Sequence, residues 1–437
     1  MKLFIIFVVS FAIGIYSSYL LYAYQASLTQ QQRGEIALPK IYDDSLEYTE
    51  IAENLSQGKG FTLRGEPNYF RTPTYPLFLA ASLSLFRSFW PAIILQVILT
   101  FATGLILYLF GKNFLPSFAA AFAGLYYILH PAVLLYSSVT MTDTFFIFFL
   151  MSSLLLGVTF LRTERVMYGL VAAVALSIAI LTRPIAICLA FPAIGVLYYV
   201  LYIKNRQQLA AHLCAIALLA LPLLWSYRNY QQSGVYSLTS LTSYNFLAYN
   251  LANFEAQKKG ITREAVLSEY EQKLGLSGQQ MFDLQHSSVL SEFTLSKLNS
   301  SWLDYTVYHV SRSAAFILTP VLPDFLKRID PTAIENIELP RIEPIISLVW
   351  FLFASYFIYK NKKSPYTWLC AGLILYFALL VGPVVIPRYK LQTEPFLILL
   401  AAGGLYAACK TTLSFYSNSK FQSMTSFLPL QKAKRQD

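Results

Sequence analysis

Long apolar runs broken by short polar turns dominate the chain. Runs of roughly 17–22 apolar residues are long enough to cross a bilayer as helices. On that pattern we expect about ten spans, over residues 3–24, 90–110, 114–131, 143–161, 166–182, 184–203, 207–226, 343–359, 365–386 and 389–409. The expected fold class is an all-α polytopic membrane protein. Four segments follow: a transmembrane module (1–226) that includes a first outer loop (25–89), an extracytoplasmic region (227–342), C-terminal transmembrane helices (343–410) and a cytoplasmic tail (411–437), polar and loose from 416 onward. The stretch 303–323 is apolar enough to suggest an eleventh span. A span there would move the Lys360-to-Lys363 loop to the other side, so a helix lying at the interface is expected.

Composition supports the membrane reading. Of 437 residues, 56% are hydrophobic and 13% charged, where a soluble domain holds about a quarter charged. Lys2, Lys112, Arg162, Arg165, Lys204, Arg206, Lys360, Lys362, Lys363, Lys410 and the basic tail all fall on one side of alternating spans. The positive-inside rule makes that side cytoplasmic, with both termini there. It also accounts for the net charge of +10 without nucleic acid. Residues 3–24 are longer than a usual signal-peptide core and lack a clear A-x-A site, so a retained span is expected. The four cysteines lie singly in apolar runs and read as small buried hydrophobes. There is no Walker loop, nucleophile elbow or paired-histidine metal motif. A divalent metal held by Asp44, Asp143 and a histidine is an open alternative that no spacing supports, and no cofactor is required.

The candidate chemistry lies outside the spans. Residues 42–61 read YDDSLEYTEIAENLSQGKGF. Asp44 suits a helix N-cap, with Glu47 placed as in a capping box. Tyr48, Ile51, Ala52 and Leu55 then share one helical face, which predicts an amphipathic helix along the membrane surface. A second apolar stretch, 74–88, is short for a span and reads as another surface helix. Two readings of the acids stay open: Asp44 is a plain cap and Asp43 a solvated loop acid, or one of them is chemically active. On the same side lie Asp143, Arg183, Arg228, Asn229, Arg388, Lys390 and Glu394. Guanidinium groups suit phosphate because they donate two parallel hydrogen bonds. Each base taken singly could instead anchor to ordinary headgroups.

Asp44-Ser45-Leu46-Glu47-Tyr48, Ala52, Leu55, Gly58, Gly60, Phe61, Arg71, Pro73, Tyr75 and Pro76 form a pattern. It continues with Asp143, LTRP (181–184), RNY (228–230) and PRY…P (387–395). This resembles the bacterial branch of the GT-C glycosyltransferases, similar to protein O-mannosyltransferases and the lipid A aminoarabinose transferase. The resemblance implies an inverting hexosyl- or pentosyltransferase that uses a polyprenyl-phosphate-linked sugar at the extracytoplasmic face of the cytoplasmic (inner) membrane. It makes Asp44 the general base or orienting group, with Asp143 and Asp43 beside it. Arg228, Arg388, Arg183 and Lys390 become candidates for the donor phosphate, and Tyr48, Arg71, Asn229 and Glu394 for positioning substrate. The apolar face of 45–57 together with 74–88 would shape a slot for the lipid tail. The implied partners are the lipid-linked sugar, membrane lipids and an acceptor that is a protein, lipid or glycan. One rival is a transporter or flippase, which would need polar groups near mid-membrane. Another is a non-catalytic scaffold binding through 227–342.

Overall fold

The computed structural model describes residues 43–324, 339–384 and 386–425. The predicted span 3–24 and the last twelve residues, 426–437, lie outside them. Within them, each of the other predicted spans carries a helix. In chain order the helices are α1 (Asp43–Ser56), α2 (Thr74–Phe86), α3 (Trp90–Gly111), α4 (Ser117–Leu129), α5 (Pro131–Ser137), α6 (Asp143–Thr163), α7 (Val166–Thr182), α8 (Pro184–Lys204) and α9 (Gln208–Ser233). A helical segment follows, comprising α10 (241–259), α11 (Arg263–Leu274), α12 (Ser287–Asn299) and α13 (Trp302–Phe316). The chain ends with α14 (Leu339–Lys360), α15 (Pro365–Val381), a 3-10 turn (Pro387–Gln392) and α16 (Glu394–Thr425).

Among the described residues, seven helices are long and apolar enough to cross a membrane: α3, α6, α8, α9, α14, α15 and α16. The pair α4–α5, expected as one helix over 114–131, is instead bent by 52°, a broken span or a re-entrant loop, and counted as one span it makes eight. Pro131 has no N–H and forces His130 into extended backbone (φ −66°, ψ 120°), so the helix cannot run through. α7 has 17 residues and rises about 26 Å, short of the roughly 30 Å hydrocarbon core. The last span starts at Glu394 rather than 389, because Pro387 opens a 3-10 turn there. α16 then runs to Thr425, past the point where a loose tail was expected, since no Gly or Pro interrupts residues 405–425. α13 has 15 residues and is not among the candidate spans.

The main core lies between the spans, with Phe110, Phe146, Leu176, Phe377 and Phe396 among its members. The outward faces remain apolar. Ile94, Leu105, Leu213, Ile216, Leu348 and Leu352 are all exposed, as a chain solvated by lipid requires. Close helix crossings rest on glycine. A Cβ on Gly404 would sit 1.9 Å from the carbonyl oxygen of Phe353, so α14 and α16 touch backbone to backbone.

In the first loop, α1 and α2 form the two expected helices. The face of α1 carrying Tyr48 and Ala52 is covered by Tyr75 and Leu79 of α2, with Ala92 and Phe145 behind. That face therefore packs on protein and does not line a slot for lipid. Leu77, Leu85 and Phe86 give α2 an exposed apolar side. Between the helices, Thr62–Leu63 and Glu66–Pro67 pair as a minimal antiparallel hairpin. Its central residues, Arg64 (φ 53°) and Gly65 (φ 83°), take the positive φ of a type I′ turn. The segment 241–308 has its own apolar centre around Leu247, Val266, Tyr270 and Leu290.

Gly404→Ala is expected to overpack the α14–α16 crossing by about 1–3 kcal/mol and lower the melting temperature in detergent. Gly372, in α15, has nothing within 4 Å of a new Cβ, and Gly372→Ala should leave the melt unchanged or slightly higher. Equal melts for the two variants would refute the close crossing.

Candidate functional site

The antiparallel pair α6–α7 brings Asp143, at the start of α6, and Arg183, just after α7, to one end of the bundle. Arg183 Nη1 lies 2.9 Å from Asp143 Oδ1, and Arg183 Nε donates to Thr142 Oγ1 at 3.0 Å. Pro184 helps hold Arg183 extended (φ −142°, ψ 110°), which breaks the helix and frees the side chain to reach across.

Arg388 comes to the same end on the 3-10 turn. Its Nη2 donates to Asp44 Oδ2 at 2.8 Å, and its Nε lies 3.6 Å from Asp143 Oδ2. Asp44 accepts a second hydrogen bond on Oδ1, from Arg71 Nη2 at 2.5 Å. Arg71 Nε in turn donates to Glu47 Oε2 at 2.7 Å. The result is one chain of alternating charge: Glu47, Arg71, Asp44, Arg388, Asp143, Arg183. Three carboxylates and three guanidinium groups cancel, and that balance allows them to leave bulk water together. Asp143 is 1% exposed, Arg388 4% and Arg71 8%. The Asp44 side chain remains 27% exposed, the most open of the three carboxylates, ahead of Glu47 and the buried Asp143.

Aromatic rings fix the guanidinium planes. Tyr389 lies 5.0 Å from Arg183 and 5.2 Å from Arg388. Tyr48 and Phe70 lie 5.0 and 4.8 Å from Arg71. Tyr389 and Tyr249 of α10 both pack against the cluster of Phe316, Ala378, Val381 and Val384, and Arg263 of α11 stacks on Tyr249 at 4.8 Å. The segment 241–308 thus reaches the edge of the charged chain.

α1 begins at Asp43, so Asp44 lies within the first helical turn, and its carboxylate and that of Glu47 both engage Arg71. The expected capping box is therefore replaced by a shared ion pair. The side chain of Asp43 lies outside the described ones. Burial alone would raise the pKa of Asp44. Arg71 and Arg388 outweigh it and hold the carboxyl well below its usual range. Burial likewise opposes the charges on Arg71 and Arg388, and the adjacent carboxylates overcome it, so both pKa values are raised.

The remaining candidates sit one step away. Arg228 donates to Asn68 O (3.0 Å), Asn229 Oδ1 (3.0 Å) and Phe61 O (3.2 Å). The Asn68 side chain accepts from the Arg71 backbone N–H at 2.8 Å. Asn229 donates to Ser237 O and Leu238 O, and Thr239 Oγ1 holds Phe70 O at 2.7 Å. Arg228 and Thr239 therefore grip the loop that carries Arg71, and Asn229 ties the end of α9 to the residues before Thr239. Lys390 and Glu394 face each other at 3.7 Å, with Lys390 turned toward Ser347 and Thr319. Among the described residues, no group of three or more His, Cys, Asp or Glu is placed to hold a metal ion.

Two contributors were not anticipated. Gln96, buried in α3, accepts from Tyr75 Oη at 2.9 Å and donates to Ser137 O and Val139 O. It secures the turn that precedes Asp143. A lone amide inside an apolar run was the available signal. Tyr389 was visible only as the middle of PRY.

Residues 70–226, less than half of the chain, match the family model described as dolichyl-phosphate-mannose-protein mannosyltransferase. Over that segment the chain is similar to the GT-C glycosyltransferases that the model describes. The matched segment includes Arg71, Asp143 and Arg183 and excludes Asp44 and Arg388. Among solved structures, the chain is similar to the crystal structure of ArnT from Cupriavidus metallidurans in the apo state, with a TM-score of 0.38 and 13% identity over 83% of this chain and 73% of that one. No curated protein matches the chain.

Because the folded-state pKa of Asp44 is depressed from 3.8, its stabilisation is complete above that value and is lost as the pH falls below it. The difference in melting between wild type and Asp44→Asn should be flat from pH 7 to about 5 and shrink below about 4. A difference independent of pH down to the lowest values tolerated would disprove the ion pairing of Asp44.

Proposed function

We propose that the chain transfers a sugar from a polyprenyl-phosphate donor to an acceptor at the extracytoplasmic face of the membrane, with inversion. One observation carries this reading: the charged chain, centred on a partly exposed Asp44, at one end of a bundle of membrane-length helices. An acceptor nucleophile attacks the anomeric carbon, the bond from that carbon to the phosphate oxygen breaks, and polyprenyl phosphate leaves with the bonding pair. Arg388 stabilises the leaving anion, with Arg71 and Arg183 adjacent. Fixed donors of this kind are each worth about 3–4 kcal/mol in the transition state.

Asp44 faces the acceptor. Flanked by two guanidinium groups, it binds a proton weakly, and a good general base needs a pKa near the working pH. Its first task is therefore to orient the nucleophile through a hydrogen bond. As Arg388 and Arg71 turn toward the phosphate, the proton affinity of Asp44 rises, and it takes the acceptor's proton late in the displacement. An acceptor that is already ionised needs only the orienting function. Asp143, itself buried away from the reacting atoms, holds Arg388 and Arg183 in place. The acceptor approaches past Tyr249 and Arg263, where the segment 241–308 meets the charged chain.

Purified protein supplied with polyprenyl-phosphate sugars should release free polyprenyl phosphate, measured by mass spectrometry. Arg388→Gln should reduce kcat/KM by about 10²–10³-fold, and Asp44→Asn should reduce kcat by about 10²–10⁴-fold. Wild-type turnover in Asp44→Asn would return that residue to a purely structural role. A wild type that moves the intact lipid-linked sugar across a vesicle membrane without breaking it would replace transfer with transport.

A further inference from the structure

Lys390 is 2% exposed, and an ammonium carries three donors that need partners. They have three candidates. Nζ lies 2.7 Å from Ser347 Oγ on α14 and 3.2 Å from Thr319 O in the segment after α13. It lies 3.7 Å from Glu394 Oε1 at the start of α16. None of these partners belongs to the charged chain around Asp44.

Arg388 and Lys390 share one 3-10 turn, Pro387–Gln392. With three residues per turn, positions two apart point about 240° from each other. The turn therefore sends Arg388 toward Asp44 and Asp143, and Lys390 in a different direction, into the packing of α14 and α16. Tyr389 between them braces Arg183 and Arg388. At its two ends the turn is closed by Tyr389 N–H to Ile386 O at 3.2 Å and Thr393 N–H to Lys390 O at 2.8 Å. Its side chains anchor it to the rest of the protein on two sides, Arg388 on Asp44 and Lys390 on Ser347.

We propose that Lys390, seated on Ser347, Thr319 and Glu394, is a positioning residue that fixes where Arg388 meets Asp44 and the leaving phosphate. The inference rests on the transferase reading only for its kinetic consequence. Its structural content is the coupling between Lys390 and the Arg388–Asp44 pair. Replacing a buried lysine that only stabilised the bundle would lower the stability of every variant equally and leave that pair unaffected.

The decisive experiment is a double-mutant cycle between Asp44→Asn and Arg388→Gln, read by thermal melting of the full-length protein in detergent. It is run in the wild-type, Ser347→Ala and Lys390→Met backgrounds. The coupling should be present in wild type, fall to less than half in Ser347→Ala and vanish in Lys390→Met. Should Lys390→Met not fold, Ser347→Ala carries the cycle alone. Coupling undiminished in every background that folds overturns the proposal. In the turnover assay, Ser347→Ala should lower kcat on the order of tenfold with KM nearly unchanged, and Ser347→Thr, which keeps the hydroxyl, should restore most of it. Wild-type kcat in Ser347→Ala would also count against the proposal. A wild type without turnover would count against the transferase reading alone, since the melting cycle tests Lys390 independently.

Discussion

The guanidinium of Arg388 lies between Asp44 and Asp143, and the site depends on that placement. It joins residues 344 positions apart in sequence. Neither carboxylate suits a largely dehydrated setting without a cation, and Arg388 would be equally unfavourable without them. Each charge therefore fixes the others. Removing water raises the strength of every link, while the alternation of sign keeps the total neutral. Such a network contributes less to net stability than to specifying one arrangement. The bundle can pack in many ways, but only one brings all six groups into register.

The elements around the network serve that register. Arg228 of α9 and Thr239 just beyond it grip the first loop and so present Arg71, while Asn229 ties α9 to residues 237 and 238. Gln96 ties α3 to the turn before Asp143. Pro184 and Pro387 stop helices where an arginine must leave the axis. These supports come from parts of the chain far apart in sequence, and they are also where apolar helices alone would leave freedom. The membrane-spanning bulk supplies rigidity through close crossings such as the one at Gly404.

The same network shapes the chemistry we propose. A phosphate arriving near Asp44 would meet guanidinium groups already oriented by carboxylates, so little reorganisation remains for the reaction itself. It would compete with Asp44 for those groups, which links donor binding to the basicity of the acid. A resting site with charges already matched also avoids exposing three arginines to ordinary lipid headgroups.

Much of the fold was legible in the sequence. Hydrophobic runs and basic turns located the described spans, because a helix in lipid must be long and apolar whatever its neighbours. Local breaks were harder. The bend at Pro131 and the late start of α16 arise where a proline's missing N–H outweighs a continuous apolar signal. Of the site, the sequence alone determined which polar residues stand at helix ends, since charge is excluded from the spans themselves. It did not determine which would meet. Arg71, Arg183 and Arg388 converge on Asp44 and Asp143, whereas Arg228 holds a loop and Lys390 turns into the packing between helices. Only the tertiary structure decided that division. A side chain's partner depends on helix rotation, on a 3-10 turn's phase and on distances across hundreds of residues, and hydropathy records none of these.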